Sequence, residues 1–179
     1  MKTNVKTLSL AYVGRQALLT ALAVAVSVAL PQVCHLMGAQ LGVGTSLGEM
    51  LLPMHLPVML AGLLWGPWVG ATVGLCSPLA SFALTGMPLP GMLPFMTIEL
   101  LGYGLCAGLL SRHAMPTVCK VLVAQVAGRT LRAVALLAAV GMEWTQLPVS
   151  LIWTSITVGV AGIALQLILL PVVMRAVRR

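Results

Sequence analysis

LLPMHLPVMLAGLLWGPWVGATVGLCSPLASFALTG, residues 51–86, contains no Asp, Glu, Lys or Arg and is apolar along nearly its whole length. The dipeptide Gly66-Pro67 divides it into two arms and marks a tight turn. The first arm holds Pro53 and Pro57 near its start, so it reads as a short span, tilted or partly unwound at that end. The second arm leads the chain back, with a kink expected at Pro78. Two charge-free arms joined by so short a turn have no polar face to offer water. They belong in a bilayer.

The rest of the chain agrees. Of 179 residues, 60% are hydrophobic and 7% charged, which excludes an ordinary soluble domain. A membrane helix needs roughly 20 apolar residues, and the apolar stretches resolve into six spans near 16–37, 51–65, 68–85, 95–110, 118–140 and 151–173. The expected fold is a single all-α integral membrane domain of six transmembrane helices. Lys2, Lys6 and Arg15 ahead of the first apolar run imitate a secretory signal, but the run outlasts the ~7–15 residues of a signal core. It is read as a transmembrane helix.

Basic residues set the expected orientation. Lys2, Lys6, Arg15, Arg112, Lys120, Arg175, Arg178 and Arg179 fall on the side holding both termini, and none falls in the opposite segments 38–50, 86–94 and 141–150. Both termini are therefore expected in the cytoplasm, with long outer loops facing a multi-pass cell (cytoplasmic) membrane's exterior. Long loops rich in Gly and Pro are a hint of an outer site.

The composition also limits chemistry. Three acids, none of them Asp, leave too little for a soluble acid–base enzyme or a carboxylate metal cage. The net charge of +7 comes without a basic stripe interleaved with aromatics, so no nucleic acid partner is expected. Cys34, Cys76, Cys106 and Cys119 lack C-x-x-C spacing and read as small buried hydrophobes. No Walker A motif is present, and no paired nucleophile and base is recognisable. The chain is expected not to be an enzyme, and to carry neither cofactor nor metal.

Five features stand out. Ala17, Ala21 and Ala25 recur every fourth residue in the first helix, a stripe that lets another helix approach closely, inside this chain or outside it. Arg129 and Arg132 lie near mid-membrane on one face of the fifth helix, where each arginine costs roughly 2.5–3.5 kcal/mol unless it is satisfied. Either Arg129 pairs with Glu99 to tie two helices together, or a guanidinium serves an anionic or carbonyl-bearing ligand. His55 sits between two prolines whose freed backbone groups suit a wet cavity. Tyr103 and Trp153 are candidates for stacking on a planar ligand, Trp144 is read as part of an interfacial belt, and Met50, Met54, Met59, Met87, Met92 and Met96 cluster near the outer ends.

ALLTALAVA (17–25), PMHLPVMLAGLLWGPWVGATVGLCSPLASFALTGMP (53–88), MTIELLGYGLCAGLL (96–110) and VAGRTLRAV (126–134) together resemble the substrate-binding S component of energy-coupling factor (ECF) vitamin transporters. The similarity covers about Gln16 to Val173. It implies a vitamin or related micronutrient captured from outside, with delivery by a transmembrane T component and two ATPase subunits that alone use ATP. It also implies that Ala17, Ala21 and Ala25 contact the T component. His55, Glu99, Arg129, Arg132, Tyr103 and Trp153 are then the candidate substrate-binding residues. No motif fixes the vitamin: a carboxylate such as pantothenate suits the arginines better than cationic thiamine, a pyridoxine-type cargo is open, and cobalamin would give His55 or Cys76 a cobalt-ligand role. A self-sufficient channel or secondary carrier, and a polytopic membrane enzyme using Ser77, Ser81 or His55, are the alternatives.

Overall fold

A computed structural model of the chain describes residues 4–177, with side chains from Tyr12 onward. Lys2, Arg178 and Arg179, and the side chain of Lys6, which entered the charge reading, lie outside the described residues. Eight helices follow in order among the described residues: α1 Asn4–Gln40, α2 Ser46–Leu51, α3 His55–Trp65, α4 Pro67–Thr85, α5 Leu93–Leu110, α6 Thr117–Gly141, α7 Leu151–Val158 and α8 Val160–Val177. Among the described residues, six stretches are helical, long and apolar enough to cross a membrane, α2 and α3 together forming the second. The chain is an all-α, multi-pass membrane protein.

Local sequence explains the breaks. Gly66 has φ 93°, a conformation that costs a glycine nothing, and Pro67 opens α4 where a missing N–H is harmless. Gly86, at φ 72°, ends α4 with its N–H bonded to the Phe82 carbonyl. Between α2 and α3 the left-handed residue is Leu52, φ 48°, which has no such freedom. Its carbonyl accepts from the His55 backbone N–H at 3.1 Å and from Gln166 Nε2 at 3.3 Å, so packing from α8 holds the break open. Gln166 in turn accepts from Gln125 Nε2 at 2.8 Å, joining α6, α8 and the break through buried amides.

The structure departs from expectation in three places. The sixth span is not one helix over 151–173: Gly159 interrupts it, and α7 has no buried residue. A single glycine in a helical apolar run costs only about 1 kcal/mol, so it leaves little trace in hydrophobicity. Part of the glycine-rich 38–50 segment is helical, as α2. The cysteines are half-buried at Cys34, Cys76 and Cys106 and exposed at Cys119, because outward positions here meet lipid and not water. The same reasoning accounts for Leu84 and Ile168, exposed at 76% and 68%.

Glycine holds the bundle together at the end away from residues 31–55. A Cβ on Gly104 of α5 would run into the backbone of Gly70 in α4, and one on Gly74 would meet the Leu100 carbonyl. Gly108 stands equally close to Pro67. Lipid tails are as apolar as leucine, so close backbone approach and van der Waals contact are what hold such helices together. At the same end Lys120, 2% exposed, donates from Nζ to the Ser111 carbonyl at 2.9 Å and closes the α5–α6 turn.

Candidate binding cavity

Glu99 and Tyr103 are four residues apart on α5 and share one face. The Tyr103 hydroxyl donates to Glu99 Oε1 at 2.7 Å. Arg132 Nη1, from α6, donates to Glu99 Oε2 at 2.9 Å. The approach of α6 depends on Gly128, where a Cβ would stand 2.5 Å from the Tyr103 ring and 2.8 Å from the Glu99 carbonyl oxygen. His55, from the start of α3, brings Nε2 to 3.9 Å from Glu99 Oε1 and its ring centroid to 5.1 Å from that of Tyr103. Glu99 is only 1% exposed. A carboxylate so buried costs several kcal/mol, and good hydrogen bonds with opposite charge on both oxygens offset that cost.

The two arginines divide their roles. Arg132 is the direct partner of Glu99, whereas Arg129 Nη1 lies 3.9 Å from Oε1 and donates to the Ser155 carbonyl at 3.2 Å. The expected Arg129–Glu99 ion pair is present at 3.9 Å, the closer partner of Glu99 is Arg132 at 2.9 Å, and Arg129 also ties α6 to α7. One carboxylate faces two guanidiniums, leaving a surplus of positive charge.

Above this cluster lies a cavity of about 340 Å³. It sits where α1 ends, α3 and α5 begin, and the 86–92 and 151–158 segments converge, opposite the end holding Arg15, Arg112 and Arg175. His55, Glu99 and Arg132 line it. Met54, Met87, Met92 and Met96 form much of the apolar wall, while Met59 is core and Met50 is exposed. Tyr103 and Arg129 stand outside the lining, one contact removed through Glu99 and Ser155. Trp153 does not join it either: Leu151, Thr154, Ser155 and Val158 make the lining face of α7, and Trp153 is 70% exposed off that face.

Several lining residues lie outside the sequence expectations. Gln32 and His35 come from α1, three residues apart and just beyond Pro31; their spacing was the available signal. His35 packs over Gly48 of α2, whose Cβ would stand 2.5 Å from the ring. Ser81 lies in the same wall as His55, but Ser77 bonds the Val73 carbonyl and lies elsewhere. The Nδ1 atoms of His35 and His55 are both buried without a hydrogen-bond partner.

A second depression runs between α1 and α4. Ala17, Ala21, Ala25 and Ala29 are exposed along one wall, and Thr72, Cys76 and Ala80 form the other. Cys76 therefore belongs to this groove and not to the cavity. No group of three His, Cys, Asp or Glu side chains is arranged to hold a metal among the described residues.

The family model for the ECF transporter substrate-specific component matches residues 12–174, and the chain belongs to that family of transport subunits. No curated protein and no solved structure matches it.

Proposed function

We propose that the protein is the substrate-capturing subunit of an ECF-type importer, taking a small micronutrient into the Glu99 cavity from the outer face and delivering it with an ATP-hydrolysing partner module. The observation that carries this reading is the cavity itself: a buried, charge-paired floor with unpartnered imidazole nitrogens beneath an adaptable methionine wall. Pockets of this kind fix a ligand with a few polar groups and enclose it with apolar ones. The described basic residues Arg15, Arg112, Lys120 and Arg175 gather toward the opposite end, which supports termini in the cytoplasm and a cavity open to the exterior.

Docking on the T component falls to the exposed alanine stripe. Four methyl groups in a row let a partner helix approach closely without displacing large side chains. Native mass spectrometry of the purified protein is the test of capture: a single small organic molecule at one per chain is expected. A protein that carries none, and binds none of a vitamin panel, overturns the reading. Cysteines introduced at Ser46, Gly91 and Gln146 should label from the exterior of intact cells, and labelling only from the cytoplasm rejects the orientation.

A further inference from the structure

We infer that the cavity selects a small organic monoanion carrying a hydrogen-bond donor on an apolar body, its charge held by Arg132 and its donor by His55. This rests on the substrate-capture reading above and narrows it to one chemical class.

Charge comes first. Glu99 is already committed to the protein: Tyr103 and Arg132 donate to its two oxygens, and Arg129 stands 3.9 Å from one of them, so its charge is compensated before any ligand arrives. Arg129 and Arg132 together outweigh it, and guanidinium groups stay protonated in proteins. Arg132 gives Nη1 to Glu99 yet lines the cavity, and its other nitrogens have no hydrogen bond to protein among the described residues. Those N–H groups suit a carboxylate. Glu49 also lines the cavity, but it is exposed and its carboxylate accepts from Thr45 at 3.4 Å, so water screens it at the rim.

The donor follows from the histidine. A carboxylate only accepts, so Glu99 beside His55 Nε2 favours the tautomer with its proton on Nε2. That leaves Nδ1 a bare acceptor, and it is buried, unpartnered and in the cavity wall on a side chain 6% exposed. A ligand O–H or N–H satisfies it, which removes the cost of leaving a buried acceptor unmade.

Size completes the class. A cavity of about 340 Å³ falls at the lower end of the roughly 300–1,000 Å³ typical of pockets for small organic molecules. Cys76, the other candidate cobalt ligand, lies in the second groove and not in this cavity.

Isothermal titration of the full chain in nanodiscs against matched pairs tests the class. The probes are pantothenate with panthenol, nicotinate with nicotinamide, and biotin with biotinamide, alongside thiamine and cobalamin. The expected result is that the tightest probe is an acid, at least tenfold tighter than its neutral twin. Arg132→Gln should shrink that ratio toward one, while Arg132→Lys, which keeps the charge opposite Glu99, should preserve most of it. The wild-type ratio decides the matter alone should Arg132→Gln not fold. An acid-to-neutral ratio near one, or thiamine or cobalamin as the tightest probe, overturns the inference while leaving the capture reading intact. If no probe binds, the charge of the molecule released from the purified protein decides: an anion supports the class, and a neutral or cationic one overturns it.

Discussion

The cavity and the alanine groove are both hollows in a bundle of apolar helices, yet they are built from opposite materials. The cavity has a buried carboxylate, a guanidinium and imidazole nitrogens at its base, and each polar atom there requires a partner. The groove offers methyl groups, a cysteine and side chains of threonine and valine, none of which loses much by being left exposed to lipid. In a bilayer, polarity is costly and therefore informative, whereas a strip of small residues is informative only through its shape. The first hollow suits a polar small molecule, and the second suits another helix.

Removing the carboxylate should break this contrast most severely. Glu99→Ala leaves Arg132 and Arg129 facing a buried void, and loss of one member of such a buried ion pair costs about 3–5 kcal/mol. Thermal unfolding in detergent should show the chain strongly destabilised, with cargo binding lost; near wild-type stability would show that water already serves the cluster. Arg129→Ala should cost about 1.5–3 kcal/mol of stability, the scale of a charge-assisted hydrogen bond, here the one to the Ser155 carbonyl. Because Arg129 stands outside the lining, its loss should move the unfolding temperature more than cargo affinity, and the reverse pattern would place the guanidinium on the ligand.

The groove should respond differently. Ala21→Trp, on an exposed position, should weaken complex formation with the T component at least tenfold, about 1.4 kcal/mol, and leave titrated cargo affinity unchanged. Gln166→Leu removes the bond to the Leu52 carbonyl and the one from Gln125, about 0.5–1.5 kcal/mol each, and its effect on cargo affinity should be smaller than that of Glu99→Ala. It loosens the α2–α3 break at the cavity wall, so cargo dissociation measured by stopped flow should quicken while partner assembly is unaffected.

How far the sequence reveals these two regions follows the same contrast. Six apolar stretches are legible because hydrophobicity is a local property, and the break near Pro53 is legible because proline removes a donor. The interruption at Gly159 is not, since nothing local distinguishes it from the other glycines that helices here tolerate. That hidden break also decides the direction of Trp153, which expectation assigned to a ligand and the structure turns outward. Glu99 with an arginine partner was legible from energetics alone, but Arg129 and Arg132 share a face, and choosing between them takes distances of 3.9 Å and 2.9 Å. His35 is hard to read from sequence because it sits within the long apolar run of α1. The polar pair Gln32 and His35 is a weaker signal than an intramembrane arginine, since neither carries a fixed charge.

A crossover of two blocking substitutions tests the division most directly. Thr154 lines the cavity from α7, a helix with no buried residue, so Thr154→Trp should fill the cavity without disturbing the core. Cargo affinity by titration and T-component assembly by co-purification should be measured for Thr154→Trp and Ala21→Trp side by side. The account predicts that Thr154→Trp loses cargo and keeps the partner, while Ala21→Trp keeps cargo and loses the partner. Loss of both functions together in either folded variant would contradict it.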